Sequence, residues 1–499
     1  MDIRGISVTR IRLLVVLGAL GGVAAGCAPK NAWREVVTPH FVLHTDVSRA
    51  QARATLTQLE RSFDVFHRLV FASRRPPPGR SEVVLLRRRA DYAQVAPGIV
   101  TAHATAEPHD VLGRSLLLLA ERLDSGSLEV VQHELVHRFV RHELHDVPYW
   151  FNEGLASFLS TMTYDEEEVD LGTPPVPPPG LEARPSLPPL AELLGEPAGF
   201  FDLKKGPAYH YAAWNLVHLL ATGTIAQRQR LIEFTNALGR GADRRAAWQA
   251  GFWDQRVDEL ETEYRRHAES ASPRFVRTPF RVRASVRRER ERVLPAAEVH
   301  LLWVRLLPWE KANRPRVEAE LRAATGLDAA ERRYWWGRLY TAQGRREEAE
   351  RELRGALALR PGEERYALAL AELLTSAPSA GEAHPPSAPA AEDVLAQLGR
   401  VAESAVSLDF LARQKLARGE TEPARELALR AVARDAGCWQ CVDTLAQIEF
   451  ARGAVPEAVD LAERAVGLIP DDVMHPDLLQ RLTAYRQAAV SRGTPPAKP

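Results

Sequence analysis

His133-Glu134-Leu135-Val136-His137 is the stretch that decides the reading of this chain, and Tyr149-Trp150-Phe151-Asn152-Glu153-Gly154-Leu155-Ala156 follows soon after it. On an α-helix, positions i and i+4 lie about 40° apart around the axis and about 6 Å apart along it, so His133 and His137 can aim two imidazoles at one ion. Glu134 sits about 100° from His133 and about 60° from His137, outside the ligand positions yet within reach of a water held there. The geometry predicts that the histidines bind and the glutamate acts as base. A catalytic zinc takes three protein ligands and keeps a fourth position open. Glu153 is the expected third ligand, because a carboxylate among Trp150, Phe151, Leu155, Ala156 and Phe158 is otherwise badly placed. His142, Glu143 and His145, on the charged connector between the two segments, are the competing ligands.

Working outward, Asp124-Ser125-Gly126-Ser127 precedes the first motif, and Ser125 or Ser127 is the expected helix cap. Pro148 is well placed to open the second helix. Upstream, His40 to Thr45 and Ser81 to Leu86 read as strands, separated by an amphipathic helix through Leu56, Leu59, Phe63, Phe66, Leu69 and Val70 that ends at Pro76-Pro77-Pro78-Gly79. Ser115 to Ala120 reads as another strand and Gly98 to Ala106 as a weaker one, giving a sheet of about four strands. Downstream, Ala208 to Trp214 opens a further helix. Gly172 to Pro189 is proline-rich and reads as loop, and helices resume at Arg228 to Leu238 and Asp254 to Glu269.

The two motifs together resemble the gluzincin branch of zinc metallopeptidases, the peptidase MA-like superfamily. The resemblance covers roughly Val36 to Ser270, with the strong motifs confined to residues 133–159. It implies an α+β thermolysin-like metallopeptidase domain, in which a small sheet lies over the motif helix and a helical subdomain closes the cleft. It also implies one Zn2+ ion on His133, His137 and Glu153, which activates water for peptide hydrolysis with Glu134 as general base. Similar enzymes supply an oxyanion donor from the C-terminal subdomain. Tyr211 is the first choice here, His210 the second and Tyr209 a third. Two departures stand out: the spacer between His137 and Glu153 is shorter than in the thermolysin and aminopeptidase branches, and Ser157 occupies the position where thermolysin-like enzymes carry an aspartate that orients a zinc histidine.

The N-terminus has a positive segment (Arg4, Arg10, Arg12), an apolar run from Leu13 to Ala25, and small residues before Cys27. This resembles a bacterial lipoprotein signal over residues 1–27, with Cys27 as the lipidated residue and 28–35 as tether. Ala28 favours outer-membrane sorting, so the expected location is the cell envelope, lipid-anchored and facing the periplasm. The chain has 65 Lys plus Arg and 65 Asp plus Glu among 499 residues, so no bulk field recruits nucleic acid. The remaining two of its three cysteines, Cys438 and Cys441, form a C-x-x-C. A structural disulfide is the expected state outside the cytoplasm; a free thiol pair or a redox motif are the alternatives.

Residues 271–293 form an arginine-rich stretch that reads as a linker or solvated helix face. Beyond it, over 294–490, Trp336, Gly337, Tyr340, Gly344, Ala349, Leu353, Ala356 and Pro361 recur in reduced form as Leu411, Ala412, Gly419, Ala424, Ala428 and Ala431, then as Leu445, Ala446, Gly453, Ala458, Ala462, Ala465 and Pro470. The spacing of Gly419 and Gly453 matches a period of about 34 residues, and the pattern resembles tetratricopeptide repeats, an all-α solenoid. Ser376 to Ala391 reads as a disordered insertion, Leu301 to Leu327 as a decayed helix pair, Leu478 to Val490 as a capping helix, and 491–499 as a tail. The expectation is a membrane-anchored zinc metallopeptidase acting on a peptide or protein substrate, with repeats that bind substrate or a protein partner. The alternative is a non-catalytic envelope scaffold whose peptidase fold is degenerate.

Overall fold

The computed structural model describes residues 32–491 apart from 74, 100–101, 107–111, 113–114, 175–185, 196, 203, 271–274, 284–289, 377–387 and 470–474. The signal segment, Cys27, most of the tether, most of the proline-rich loop and the tail from 492 lie outside the described residues, as does most of the insertion between Ser376 and Ala391.

The first part of the chain builds a mixed sheet. Strands β1 (Arg34–Val37) and β2 (Phe41–Thr45) are followed by α1 (Arg49–Val65), β3 (Ser81–Leu86), α2 (Arg89–Val95), β4 (Ala102–Ala106) and β5 (Ser115–Ala120). A sixth strand, β9 (Arg290–Val293), returns from far along the chain, and the order is β4-β5-β3-β2-β1-β9. β2, β3 and β5 are parallel, while β4, β1 and β9 pair antiparallel to their neighbours. The runs Val83-Val84-Leu85-Leu86 and Leu116-Leu117-Leu118-Leu119 are apolar without alternation because both faces are covered. Val83, Leu85, Leu117 and Leu119 join the core under α1, whereas Val84, Leu86, Leu116 and Leu118 join a second core on the opposite face. Continuous apolar strands are the signature of such two-sided burial.

Helices α3 (Ser125–Glu143) and α4 (Tyr149–Ser160) come next, then the short strands β6 (Thr163–Tyr164) and β7 (Glu168–Leu171). A helical subdomain follows: α5 (Leu190–Gly195), α6 (Gly206–Thr222), α7 (Ile225–Gly239), α8 (Arg244–Phe252) and α9 (Val257–Glu269). Strand β8 (Val276–Pro279) then pairs with β7 in a second, three-stranded sheet.

Two expectations need correcting here. The sheet has six strands rather than about four. Its extra members carry the sequences Arg-Glu-Val-Val and Arg-Glu-Arg-Val, too charged to show a strand pattern. β9 is the edge strand, where charge of this kind protects against stray pairing, whereas β1 lies between β2 and β9 and buries Val36. The arginine-rich stretch at 271–293 is therefore not a free linker. It supplies β8 and β9, and two of its arginines are paired: Arg277 forks onto Asp170 at 2.7 Å, and Arg292 onto Glu35 at 2.8 and 2.9 Å.

The rest is a helical solenoid: α10 (Ala296–Leu306), α11 (Arg314–Ala323), α12 (Ala329–Ala342), α13 (Arg346–Leu359), α14 (Glu364–Thr375), α15 (Ala388–Val401), α16 (Ala405–Ala417), α17 (Thr421–Arg434), α18 (Trp439–Ala451), α19 (Val455–Gly467) and α20 (Pro476–Ser491). The turns of the α12/α13, α16/α17 and α18/α19 pairs hold Gly344, Gly419 and Gly453 at φ 72, 76 and 84. That left-handed conformation is cheap only for glycine, which is why the repeat is legible there. The last residues of the expected insertion, from Ala388, start α15 instead.

Both ends of the solenoid dock on the first domain. Leu302, Val304, Leu306 and Leu307 of α10 and its C-terminal edge share a core with the outer sheet face, and Arg305 donates to Glu82 on β3 at 2.9 and 3.0 Å. At the other end, Val442, Ala446, Ala458, Ala462, Ala465 and Val466 belong to the core that holds α3 and α4. The backbone of Gly467 lies so close to Val147 that a Cβ there would stand 2.8 Å from the Val147 carbonyl oxygen.

Candidate metal centre

Helix α3 starts at Asp124, which accepts from the Ser127 backbone N–H at 2.9 Å and from the Ser127 hydroxyl at 2.8 Å. The aspartate, not either serine, is the cap. Val131, Leu135, Val136, Phe139 and Val140 bury one face of the helix. His133 and His137, one turn apart, reach the opposite side, and Glu134 is half-buried on the same helix.

Helix α4 is apolar almost all round, and Glu153 is fully buried within it. Its position is set by close packing on α6: a Cβ on Gly154 would lie 2.4 Å from the Ala213 carbonyl oxygen, so only glycine allows the approach. The spacer to α3 is short because Asp146 takes φ 45, a left-handed conformation that aspartate tolerates better than most residues. Arg244 of α8 holds it there, donating to Asp146 through Nη2 at 2.6 Å and through its backbone N–H at 3.0 Å.

These elements bring His133, His137 and Glu153 together. The two Nε2 atoms are 3.0 Å apart, and Glu153 Oε2 lies 3.5 Å from His133 Nε2 and 3.7 Å from His137 Nε2. All three donor atoms fall within 4.8 Å of one another. His210 of α6 approaches the same carboxylate oxygen, with Nδ1 at 3.9 Å, and packs its ring edge-on to Phe200. Tyr211, about 100° further round the helix, rests its ring on Trp214 at 5.5 Å. Tyr209 is buried and donates its hydroxyl to Glu192. Of the competing ligands, His142 pairs with Glu143 at 3.5 Å and His145 caps the far side of the connector, its N–H on the Leu238 carbonyl.

Asn152 is the contact that the sequence did not announce. Its Nδ2 donates to Glu153 Oε1 at 3.2 Å, which turns its Oδ1 toward His137 Nδ1 at 3.0 Å. An amide oxygen only accepts, so His137 carries its proton on Nδ1 and leaves a lone pair on Nε2, the atom that faces His133 and Glu153. One amide thus orients two of the three donors. Burial pushes the Glu129 carboxyl up, one turn before His133, with the His133 charge pulling the other way. Ser157 does not contribute an orienting carboxylate, and its carbonyl accepts from the Ser160 hydroxyl.

The donor set suits a zinc ion: two imidazole nitrogens and a carboxylate oxygen lie within 4.8 Å of one another, two of them oriented by a second residue. Among the described residues, no helix is long and apolar enough to cross a membrane. Cys438 and Cys441 are joined in a disulfide at the start of α18.

No family model and no curated protein matches this chain. Solved structures similar to it include MamA, 16% identical over 32% of this chain and 85% of that one, with a TM-score of 0.26. A thermophilic TPR protein of Thermus thermophilus, TTC0263, is 16% identical over 39% and 97%, with a TM-score of 0.30. PilW, a widely conserved type IV pilus biogenesis factor, is 12% identical over 41% and 94%, also at 0.30. The solenoid described above rests on its own helix pairing.

Proposed function

We propose that the chain is a zinc-dependent metallopeptidase of gluzincin type, anchored in the cell envelope through Cys27, with tetratricopeptide-like repeats that bind a substrate or partner protein. The convergence of the His133, His137 and Glu153 donor atoms carries this reading. A bound zinc ion would supply Lewis acidity toward a scissile carbonyl and an activated water. Glu134 takes the water proton and returns it to the leaving amine. His210 is the first candidate for the oxyanion donor because it borders the cluster, with Tyr211 one position on. Among the described residues, strand β4 is the edge of the six-stranded sheet nearest α3, and an extended peptide laid alongside it would add a strand.

The test is metal analysis together with peptidase assay on the purified chain. About one zinc per chain and casein cleavage are expected, and Glu134→Gln should cut the rate by about 100-fold or more while zinc stays bound. Less than about half an equivalent of zinc, with casein intact, overturns the reading. The scaffold alternative draws on the solenoid, which occupies the C-terminal part of the chain; that outcome would leave partner binding as the function.

A further inference from the structure

Where the last repeat meets the first domain, the packing leaves a narrow cleft. Its walls are the end of α3 and the connector on one side, and the turn after α17 and the end of α19 on the other, with Arg141, His145, Asp146, Asn152 and Arg464 among the lining residues. It lies behind the metal cluster: the Asn152 amide that orients His137 and Glu153 forms part of its floor.

The charges around it do not cancel locally. Asp146 is occupied by Arg244, Glu463 by Arg486 at 3.1 Å, and Asp460 by Arg245 at 3.2 Å. Among the described residues, neither Arg141 nor Arg464 has a carboxylate partner. Arg141 lays its stem against the backbone of Gly437, where a Cβ would be 2.3 Å from its Cδ, and Arg464 has one hydrogen bond, to the Ala436 carbonyl at 3.3 Å. Burial pushes the Arg464 guanidinium down, with Asp146 acting against it, and burial and the Arg464 charge push His145 down, toward its neutral form. Two arginines from two different parts of the fold thus line one half-enclosed space.

We propose that this cleft is a binding site for a small oxyanion, a carboxylate or a phosphate, gripped between Arg141 and Arg464. Guanidinium groups match such oxygens in geometry as well as charge. Bound there, the anion ties the last repeat to helix α3.

Isothermal titration calorimetry on the full chain, at ionic strength held constant with sodium chloride, tests the proposal with two probes: inorganic phosphate and acetylglycine, with acetylglycinamide as the uncharged control. Saturable binding of at least one anion is expected, with none of the amide, and Arg464→Gln and Arg141→Gln should each weaken it by about tenfold or more. Arg141 is exposed, so its variant keeps the test valid if Arg464→Gln unfolds, and Arg464→Lys should retain part of the affinity. Preference for acetylglycine identifies a peptide carboxylate as the ligand, and preference for phosphate a free phosphate. No saturable binding of either anion up to about 10 mM, or binding that survives both glutamine variants, overturns the proposal; the latter would place the anion elsewhere, including at the metal.

Discussion

Asn152 concentrates the chemistry of the centre in one side chain. Because its amide is fixed at both ends, by the Glu153 carboxylate and by the His137 ring, removing it frees two donors to rotate. Asn152→Ala is expected to weaken zinc binding by about 10–100-fold with little change in fold, measured by competition with a chromophoric chelator. Asn152→Asp should also weaken binding, since it sets a second carboxylate against Glu153. Unchanged affinity in both variants would show that the amide is not an orienting group. The three candidate donors were legible in the sequence, because His133 and His137 obey helical spacing and Glu153 is a charge in an apolar run. Asn152 was visible only as a neighbour. Which of its atoms faces which partner depends on the angle between two helices, and no spacing rule carries that. The order of preference between Tyr211 and His210 likewise turned on helix rotation.

At the scale of elements, the metal centre depends on a connector. The turn between α3 and α4 works because Asp146 accepts a left-handed backbone and Arg244 neutralises it from α8. Asp146→Ala removes the acceptor, strains the turn, and leaves a largely buried guanidinium. It should cost about 3 kcal/mol of stability, read as a shift in the urea midpoint, and should lower zinc content as the two helices lose register. Full stability in that variant would mean that Glu463, 4.0 Å from Arg244, suffices as its partner. The helices α1 and α3 could be read from periodicity, because each buries a regular face, and β3 and β5 from their continuous apolar runs. Strands β1 and β9 could not be read so. They pair with each other across more than two hundred residues, and their charged side chains break the apolar pattern that marks the other strands.

At the scale of the molecule, the sheet and the solenoid are held at a polar clamp as well as an apolar one. Glu82 takes Arg305 and His44, at 2.9 and 3.1 Å, and burial, which alone would raise its pKa, is outweighed by these partners, leaving it near about 2 rather than 4.5. A group with a depressed folded pKa contributes stability above its unfolded value and loses it as pH falls through the folded one. Wild-type stability should therefore decline between pH 4.5 and about 2 in part through Glu82. Glu82→Gln should already be destabilised at pH 7 and should show a shallower decline across that window, followed by thermal melts at several pH values. An equal slope in both proteins would assign the acid sensitivity to other carboxylates.

The two docking ends also impose an order of events on the growing chain. The outer face of the sheet, covered in part by α2, is completed only once α10 has been made, and α4, which carries Glu153, stays partly bare until α18 and α19 have been made, far later in the chain. A nascent chain interrupted before Gly467 lacks the surface that seats the spacer between the two ligand helices. The polypeptide thus carries its own timer: the His133, His137 and Glu153 cluster acquires its final walls only after α19 has been made.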